Sequence, residues 1–177
     1  KSSKYSVGIY GEDAAVTNYG SGLITAGYGG FGIVAKGGTA NNFGTVATNG
    51  DYSTGMYTEE GIITNESTGV INVSGQNAIG MYGNLKSEII NAGTIIANGP
   101  GAQGIVLSQG STLDNTVSGT MIVNSITSGN YGSSVGTTYP TPSIINSGVI
   151  KVSEKFETDG INVVIKVDPS TVTVPTT

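Results

Sequence analysis

Short runs in which apolar and polar residues alternate recur about every 24 residues along this chain. The clearest marker is a glycine followed by an apolar residue and often a tyrosine, as in Gly55-Met56-Tyr57 and Gly80-Met81-Tyr82. We expect a degraded copy of this marker at Gly136 and a further copy at Gly160. An asparagine recurs with the same period, at Asn18, Asn42, Asn65, Asn91, Asn115 and Asn146. Two markers with one period indicate a repeat architecture.

Each repeat contains three such runs, and a period of two is typical of β-strands. The apolar column of the first run is Ile9, Ile33, Met56, Met81, Ile105 and Ile161. That of the second is Val16, Ala40, Ile63, Ile89, Leu113 and Ile144. That of the third is Ile24, Val46, Ile71, Ile95, Met121 and Ile150. Because one unit cannot bury these columns alone, successive units should stack as parallel strands about 4.8 Å apart.

The pattern therefore predicts an all-β fold, a right-handed parallel β-helix solenoid. It should have about six coils of about 24 residues, each with three short strands. Residues 1–167 should form this single domain, as a fragment of a longer protein. Residues 168–177 should be a C-terminal linker or cap, because Pro169 and Pro175 do not suit a central strand.

The period breaks once, between Gly104 and Gly136, where about eight extra residues fall within residues 125–143. Solenoids accept insertions at their corners, and this one is rich in the Tyr, Ser, Gly and Asn that binding loops favour. Tyr131 and Tyr139 could stack on a sugar face, while Asn130 or Thr138 contacts hydroxyl groups. These four residues are the predicted binding site. The alternative is an inert surface loop.

Two other columns have structural interpretations. The asparagines suit either a left-handed corner or a ladder of side-chain hydrogen bonds. The marker glycines suit corners with positive φ or close backbone approach. Tyr10, Tyr57 and Tyr82 should point outward, as an aromatic stripe covering the sheet or, alternatively, as a ligand platform.

The amino-acid composition restricts the kinds of binding and catalysis that this chain could carry out. The net charge is −5 and all seven basic residues are lysine, which argues against nucleic-acid binding. No apolar run approaches the roughly 20 residues of a membrane span, which argues against insertion of this segment into a membrane. The chain has no histidine or cysteine to serve as base or thiol nucleophile. The pairs Glu12-Asp13 and Glu59-Glu60 fit solvated turns better than a calcium loop. We expect no enzyme, no catalytic residues, no metal and no cofactor.

The phrases Gly8-Ile9-Tyr10-Gly11, Gly55-Met56-Tyr57 and residues 89–95 resemble the passenger repeats of large bacterial autotransporter adhesins, particularly of the fusobacterial type. The resemblance covers residues 5–165. It implies a β-helix stalk that is displayed outside the cell by a C-terminal membrane barrel absent from this chain. It also implies attachment to other bacteria or to host cells.

The leading hypothesis is thus an adhesin passenger segment on the bacterial surface, extracellular and anchored in the outer membrane. Its expected partner is a host-cell or bacterial receptor, with a glycan as a candidate, and the segment itself is expected to be a monomer. The second hypothesis is a purely structural spacer or surface fibre. The third is a polysaccharide-cleaving β-helix enzyme.

Overall fold

The computed structural model describes residues 6–129, 139–158 and 172–173, and these residues contain strands and turns but no helix. The first strands of successive coils are β1 (Val7–Glu12), β4 (Phe31–Lys36), β7 (Thr54–Glu59), β10 (Ile79–Asn84) and β13 (Gln103–Ser108). The second strands are β2 (Ala15–Asn18), β5 (Thr39–Asn42), β8 (Ile62–Asn65), β11 (Glu88–Asn91), β14 (Thr112–Asn115) and β16 (Ser143–Asn146). The third strands are β3 (Leu23–Ala26), β6 (Thr45–Thr48), β9 (Val70–Val73) and β12 (Thr94–Ala97).

Two longer strands, β15 (Thr120–Gly129) and β17 (Val149–Thr158), each join the third strand of one coil to the first strand of the next. A final short strand, β18, is Val172–Thr173. The second strands form a six-stranded sheet in the order β16-β14-β11-β8-β5-β2. The first and third strands are joined through β15 into one twelve-stranded sheet. The fold is therefore the predicted all-β parallel solenoid. It contains six copies of the second strand, and the chain makes about five turns between the first copy and the last.

Equivalent residues of successive coils pair in parallel, so each column stacks on copies of itself. Met56 pairs with Met81, and Met81 pairs with Ile105. Ile71 pairs with Ile95, while its outward neighbour Asn72 pairs with Ile96. The three predicted columns supply most of the core, and their inward residues from the second coil to the fifth are almost completely buried. The phase of alternation predicted from the sequence is therefore confirmed for these coils.

The asparagine column is a continuous ladder inside the solenoid. Each Asn side chain except the last donates from Nδ2 to the Oδ1 of its copy in the next coil, over distances of 2.6 to 2.9 Å. The six members, all buried and none with positive φ, are Asn18, Asn42, Asn65, Asn91, Asn115 and Asn146. Of the two interpretations from the sequence, the hydrogen-bond ladder is confirmed and the left-handed corner is wrong.

The marker glycines are needed for close backbone approach. A Cβ added at Gly55 would lie 2.5 Å from the carbonyl oxygen of Gly80, and one at Gly80 would lie 2.5 Å from that of Gly104. Real Cβ atoms do not come so close to a backbone oxygen, so only glycine fits this column. Positive φ occurs instead in the turns between strands. Asp13 (50°) and Glu60 (53°), for example, lie between a first and a second strand.

The sixth coil departs from the predicted phase. Ile126 of β15 pairs with Ile105, and Phe156 of β17 pairs with Ile126. The first-strand column therefore continues through Ile126 and Phe156. The markers predicted at Gly136 and Gly160 lie outside the described residues. The phase changes because β15 runs through the corner between third and first strands, with a register shift between Val123 and Ser125, so the usual turn is absent there.

Two residues of the predicted C-terminal linker or cap, residues 168–177, are described by the structure. Val172 and Thr173 pair in parallel with Ile150 and Lys151 of β17. These two residues thus extend the sheet of third strands by a short strand. The predicted boundary at residue 167 lies outside the described residues and stays a prediction.

Candidate functional site

The inserted segment lies at the corner between the first and second strands of the sixth coil. β15 ends at Gly129 and β16 begins at Ser143, whereas the equivalent strands of the third coil, β7 and β8, are separated by only two residues. An insertion at this corner leaves the stacked columns intact. The sequence interval predicted for it, residues 125–143, contains it.

Only one of the four predicted binding residues can be located. Asn130, Tyr131 and Thr138 lie outside the described residues, and Tyr139 is partly exposed. Next to Tyr139, Pro140 lies close to Gly110, where an added Cβ would be 3.0 Å from the proline Cδ. The end of the insertion thus packs on the corner of the preceding coil. Whether the four side chains converge stays a prediction.

A second group of candidate residues lies on the outward face of the first strands. The ring of Tyr57 makes edge-to-face contacts with Phe31 in the coil before and Tyr82 in the coil after, with centroids 5.6 and 5.3 Å apart. We call Phe31, Tyr57 and Tyr82 the aromatic strip. Tyr10 also points outward and is 54% exposed, as predicted, but Val34 separates it from Tyr57 in the column.

A row of polar side chains runs beside the strip. The Tyr57 hydroxyl donates to Glu59 Oε2 (3.1 Å) and accepts from Asn84 Nδ2 (3.4 Å). Asn84 Oδ1 in turn accepts from the Ser108 hydroxyl (2.7 Å). Lys36 Nζ lies 3.9 Å from Glu59 Oε1. These groups are fixed across four coils, so the strip is flanked by oriented donors and acceptors.

This environment changes the acidity of the phenols. Burial raises the pKa of Tyr57 to about 12, and the Glu59 carboxylate adds to the rise while the hydrogen bond from Asn84 opposes it. For Tyr10, which is exposed, the hydrogen bond to the Glu12 carboxylate is the main cause of a raised pKa. Both phenols are therefore protonated hydrogen-bond donors at neutral pH.

The raised pKa of Tyr57 predicts a loss of stability in alkali. The unfolded chain would release this proton near pH 10 and the folded chain only near pH 12, so the contribution of Tyr57 to stability is constant below pH 10 and is lost between pH 10 and 12. Because Tyr57 is only half-buried, the loss should be about 1 kcal/mol. Urea unfolding at pH 8, 10 and 11 should show it in the native chain and less of it in Tyr57→Phe. Equal alkaline losses in both proteins would contradict the assignment.

The acidic pairs occupy turns. Asp13 and Glu60 are corner residues with positive φ, and Glu12 and Glu59 are the ends of β1 and β7. Among the described residues, no group of three or more carboxylate, histidine or cysteine side chains could hold a metal ion. Within the same residues, no helix is long and apolar enough to cross a membrane.

Sequence reasoning missed one feature, a pair of exposed tyrosines at the corner from which β4 and β7 begin. The rings of Tyr28 and Tyr52 meet edge to face with centroids 5.9 Å apart. We call these two residues the corner pair. The only sign of the pair in the sequence is that the two tyrosines are one coil apart. This spacing is hard to recognise because the other corner residues differ from coil to coil.

Comparison with known proteins gives one match. The family model described as the BigA third pectate lyase-like domain matches residues 54–173, more than half of the chain. No curated protein and no solved structure matches. The matched segment begins at β7 and includes the ladder from Asn65 onward, the irregular sixth coil and the insertion.

Proposed function

Because the chain belongs to the family of the BigA third pectate lyase-like domain, which supports a place in a bacterial surface protein, we propose that it is a surface-exposed adhesin segment. In this role the solenoid is a stalk that carries attachment sites for cells or glycans. The observation that carries the proposal is the contrast between the continuous strand stack of the described residues and the long corner insertion between β15 and β16, which is rich in tyrosine, serine and glycine.

The stack supplies the mechanical part of this role. Every second strand is paired on both sides except at the two ends, and the asparagine ladder joins all six coils through their interior. Such quasi-one-dimensional arrays keep a binding surface at a distance from its anchor. The alternative of a purely structural spacer uses the same features and differs in assigning no partner to the insertion.

Binding rather than catalysis is proposed despite the words pectate lyase in the family's description, which we take as a relation of fold. The sequence has no histidine, cysteine or arginine, and the acidic side chains are scattered over strands and turns. A cleaving enzyme would need at least a positioned acid and base. The insertion needs only rings and hydrogen-bonding groups to hold a receptor or glycan.

Attachment can be tested with beads coated with the whole chain and incubated with bacterial and epithelial cells. We expect the beads to adhere, and the double substitution Tyr131→Ala and Tyr139→Ala to reduce adhesion about tenfold, since tyrosines often dominate binding energy. Deletion of residues 129–138 should have at least the same effect.

The matched control is Tyr19→Ala, which removes an exposed tyrosine from another corner, between β2 and β3. It should adhere like the native chain. Circular dichroism must show unchanged β structure in every variant. No adhesion by the native chain would favour the spacer, and equal adhesion by native chain and folded double variant would remove the insertion as the site.

A further inference from the structure

We propose that the corner pair and the aromatic strip together form a second binding surface, which takes a neutral oligosaccharide lying along the solenoid axis. The surface consists of Tyr28, Phe31, Tyr52, Tyr57 and Tyr82 from the first four coils. The inference rests on the proposed attachment function and extends it to a surface remote in sequence from the insertion.

The first observation is where the rings gather. The chain has nine tyrosines and three phenylalanines, and the three ring contacts found among the described residues all involve these five side chains. Tyr28 and Tyr52 are 45% and 56% exposed. Edge-to-face contacts hold such rings in fixed orientations, so that little conformational freedom is lost when a ligand stacks on them.

The second observation is backbone strain at Tyr52. Its amide donates to the carbonyl of Gln76, as Gly29 donates to Asp51 and Asn77 donates to Pro100 in the adjacent coils. The position therefore recurs in each coil, and its φ is about 50–65° throughout, at Gly29, Tyr52, Asn77 and Gly101.

Glycine and asparagine accept this left-handed conformation, whereas a bulky residue there is strained. Strained residues of this kind are concentrated at functional sites. The ring of Tyr52 is more than half exposed, so burial in the core is not what retains it. Its role is therefore assigned to the surface it creates with Tyr28.

The third observation concerns the groups around the rings. Asp51 is exposed, and its Oδ1 is oriented by the amide of Gln76 (3.0 Å). Along the strip stand Glu59 and Asn84, both held by the Tyr57 hydroxyl. Sugars present C–H faces that stack on aromatic rings and hydroxyls that pair with carboxylates and amides. Apolar faces with a few fixed polar groups are typical of small-molecule sites.

Charge and spacing select the kind of sugar. Asp51, Glu59 and Glu12 give the flank negative charge, and Lys36 is engaged by Glu59. An acidic polysaccharide would be repelled, so the ligand should be neutral. Neighbouring strands lie about 4.8 Å apart, close to the length of one hexose in an extended chain. A chain of several hexoses can thus place successive rings over successive coils.

The test is isothermal titration calorimetry of the whole chain with neutral hexasaccharides (cellohexaose, chitohexaose and mannohexaose) and with an acidic one, hexagalacturonate. We expect at least one neutral hexasaccharide to bind and the acidic one to bind at least about tenfold more weakly. Absence of binding by all three neutral probes, or equal binding of the acidic one, would overturn the proposal.

Single substitutions distinguish a loss of the binding surface from a loss of the fold. Tyr52→Asn gives the position the residue found at Asn77, so it should fold with a thermal midpoint unchanged or raised, yet bind about tenfold more weakly. Tyr57→Ala should weaken binding similarly, and Tyr19→Ala should not. Native affinity in a folded Tyr52→Asn protein would refute the surface. Because these titrations use no cells, they can succeed where bead adhesion fails, and the reverse.

Discussion

Ile71→Asp is expected to unfold the solenoid or drive it to aggregate. The side chain of Ile71 is fully buried and pairs with Ile95 above and Val46 below in the third-strand column. The substitution loses about 2 kcal/mol of apolar transfer free energy and leaves a buried carboxylate that costs several kcal/mol more. The sum is comparable to the whole stability of an ordinary domain, about 5–15 kcal/mol. Urea unfolding and light scattering would measure the effect.

The matched control is Asn72→Asp, one residue further along the same strand. Asn72 points outward and is exposed, so its carboxylate remains in water. This variant should stay within about 0.5 kcal/mol of the native chain, as surface substitutions usually do. Similar losses in the two variants would mean that the alternation in β9 does not separate core from solvent.

Asn42→Asp tests the ladder, and we expect a loss of about 3 kcal/mol or more at pH 7. Asn42 accepts from Asn18 Nδ2 at 2.8 Å and donates to Asn65 Oδ1 at 2.9 Å, and it is fully buried. A carboxylate cannot donate, so an oxygen with negative charge would face the oxygen of Asn65. Breaking a buried network and leaving a charge without a partner is among the most destabilising changes known.

The expected pH dependence separates the ladder from general crowding. Burial should raise the pKa of the introduced carboxyl, and once protonated it can donate to Asn65 as the amide did. The deficit relative to the native chain should therefore shrink as the pH falls from 7 towards 4. Asn41→Asp, the same exchange on the partly exposed neighbour, should cost little at either pH. A deficit in Asn42→Asp that does not change with pH would contradict this account.

Much of the fold was predictable because, in a parallel solenoid, residues that are one repeat apart in the sequence lie in contact. Met56 pairs with Met81, and Asn65 hydrogen-bonds to Asn91, so residues one coil apart are contacts as well as copies. Alternation then distinguishes Ile71 from Asn72. Both properties follow from strand geometry alone, in which side chains alternate between faces and equivalent strands stack at a fixed spacing.

The candidate sites were less predictable. The sequence identified the insertion, but the four residues proposed within it depend on how a long loop folds, which a strand period does not specify. It also identified the column of Tyr57 and Tyr82. The contact of Tyr57 with Phe31, and the polar row formed by Glu59 and Asn84, depend on side-chain packing between coils. The sequence did not predict the corner pair, because apolar and polar residues do not alternate at the corners.

The sequence by itself determined the coil length, the inward columns of the first five coils and the asparagine column, since each rests on repeated pairing between equivalent residues. That the asparagines form a hydrogen-bond ladder was decided by the structure. Only the tertiary structure decided that Ile126 rather than a residue after Gly136 continues the column of Ile105. It alone placed Tyr52 in a left-handed conformation beside Tyr28. Where a strand runs through a corner, or where a corner is closed by backbone hydrogen bonds to the next coil, the conformation is set by contacts with the neighbouring coil. Neither the period of the repeat nor the alternation of apolar and polar residues specifies those contacts.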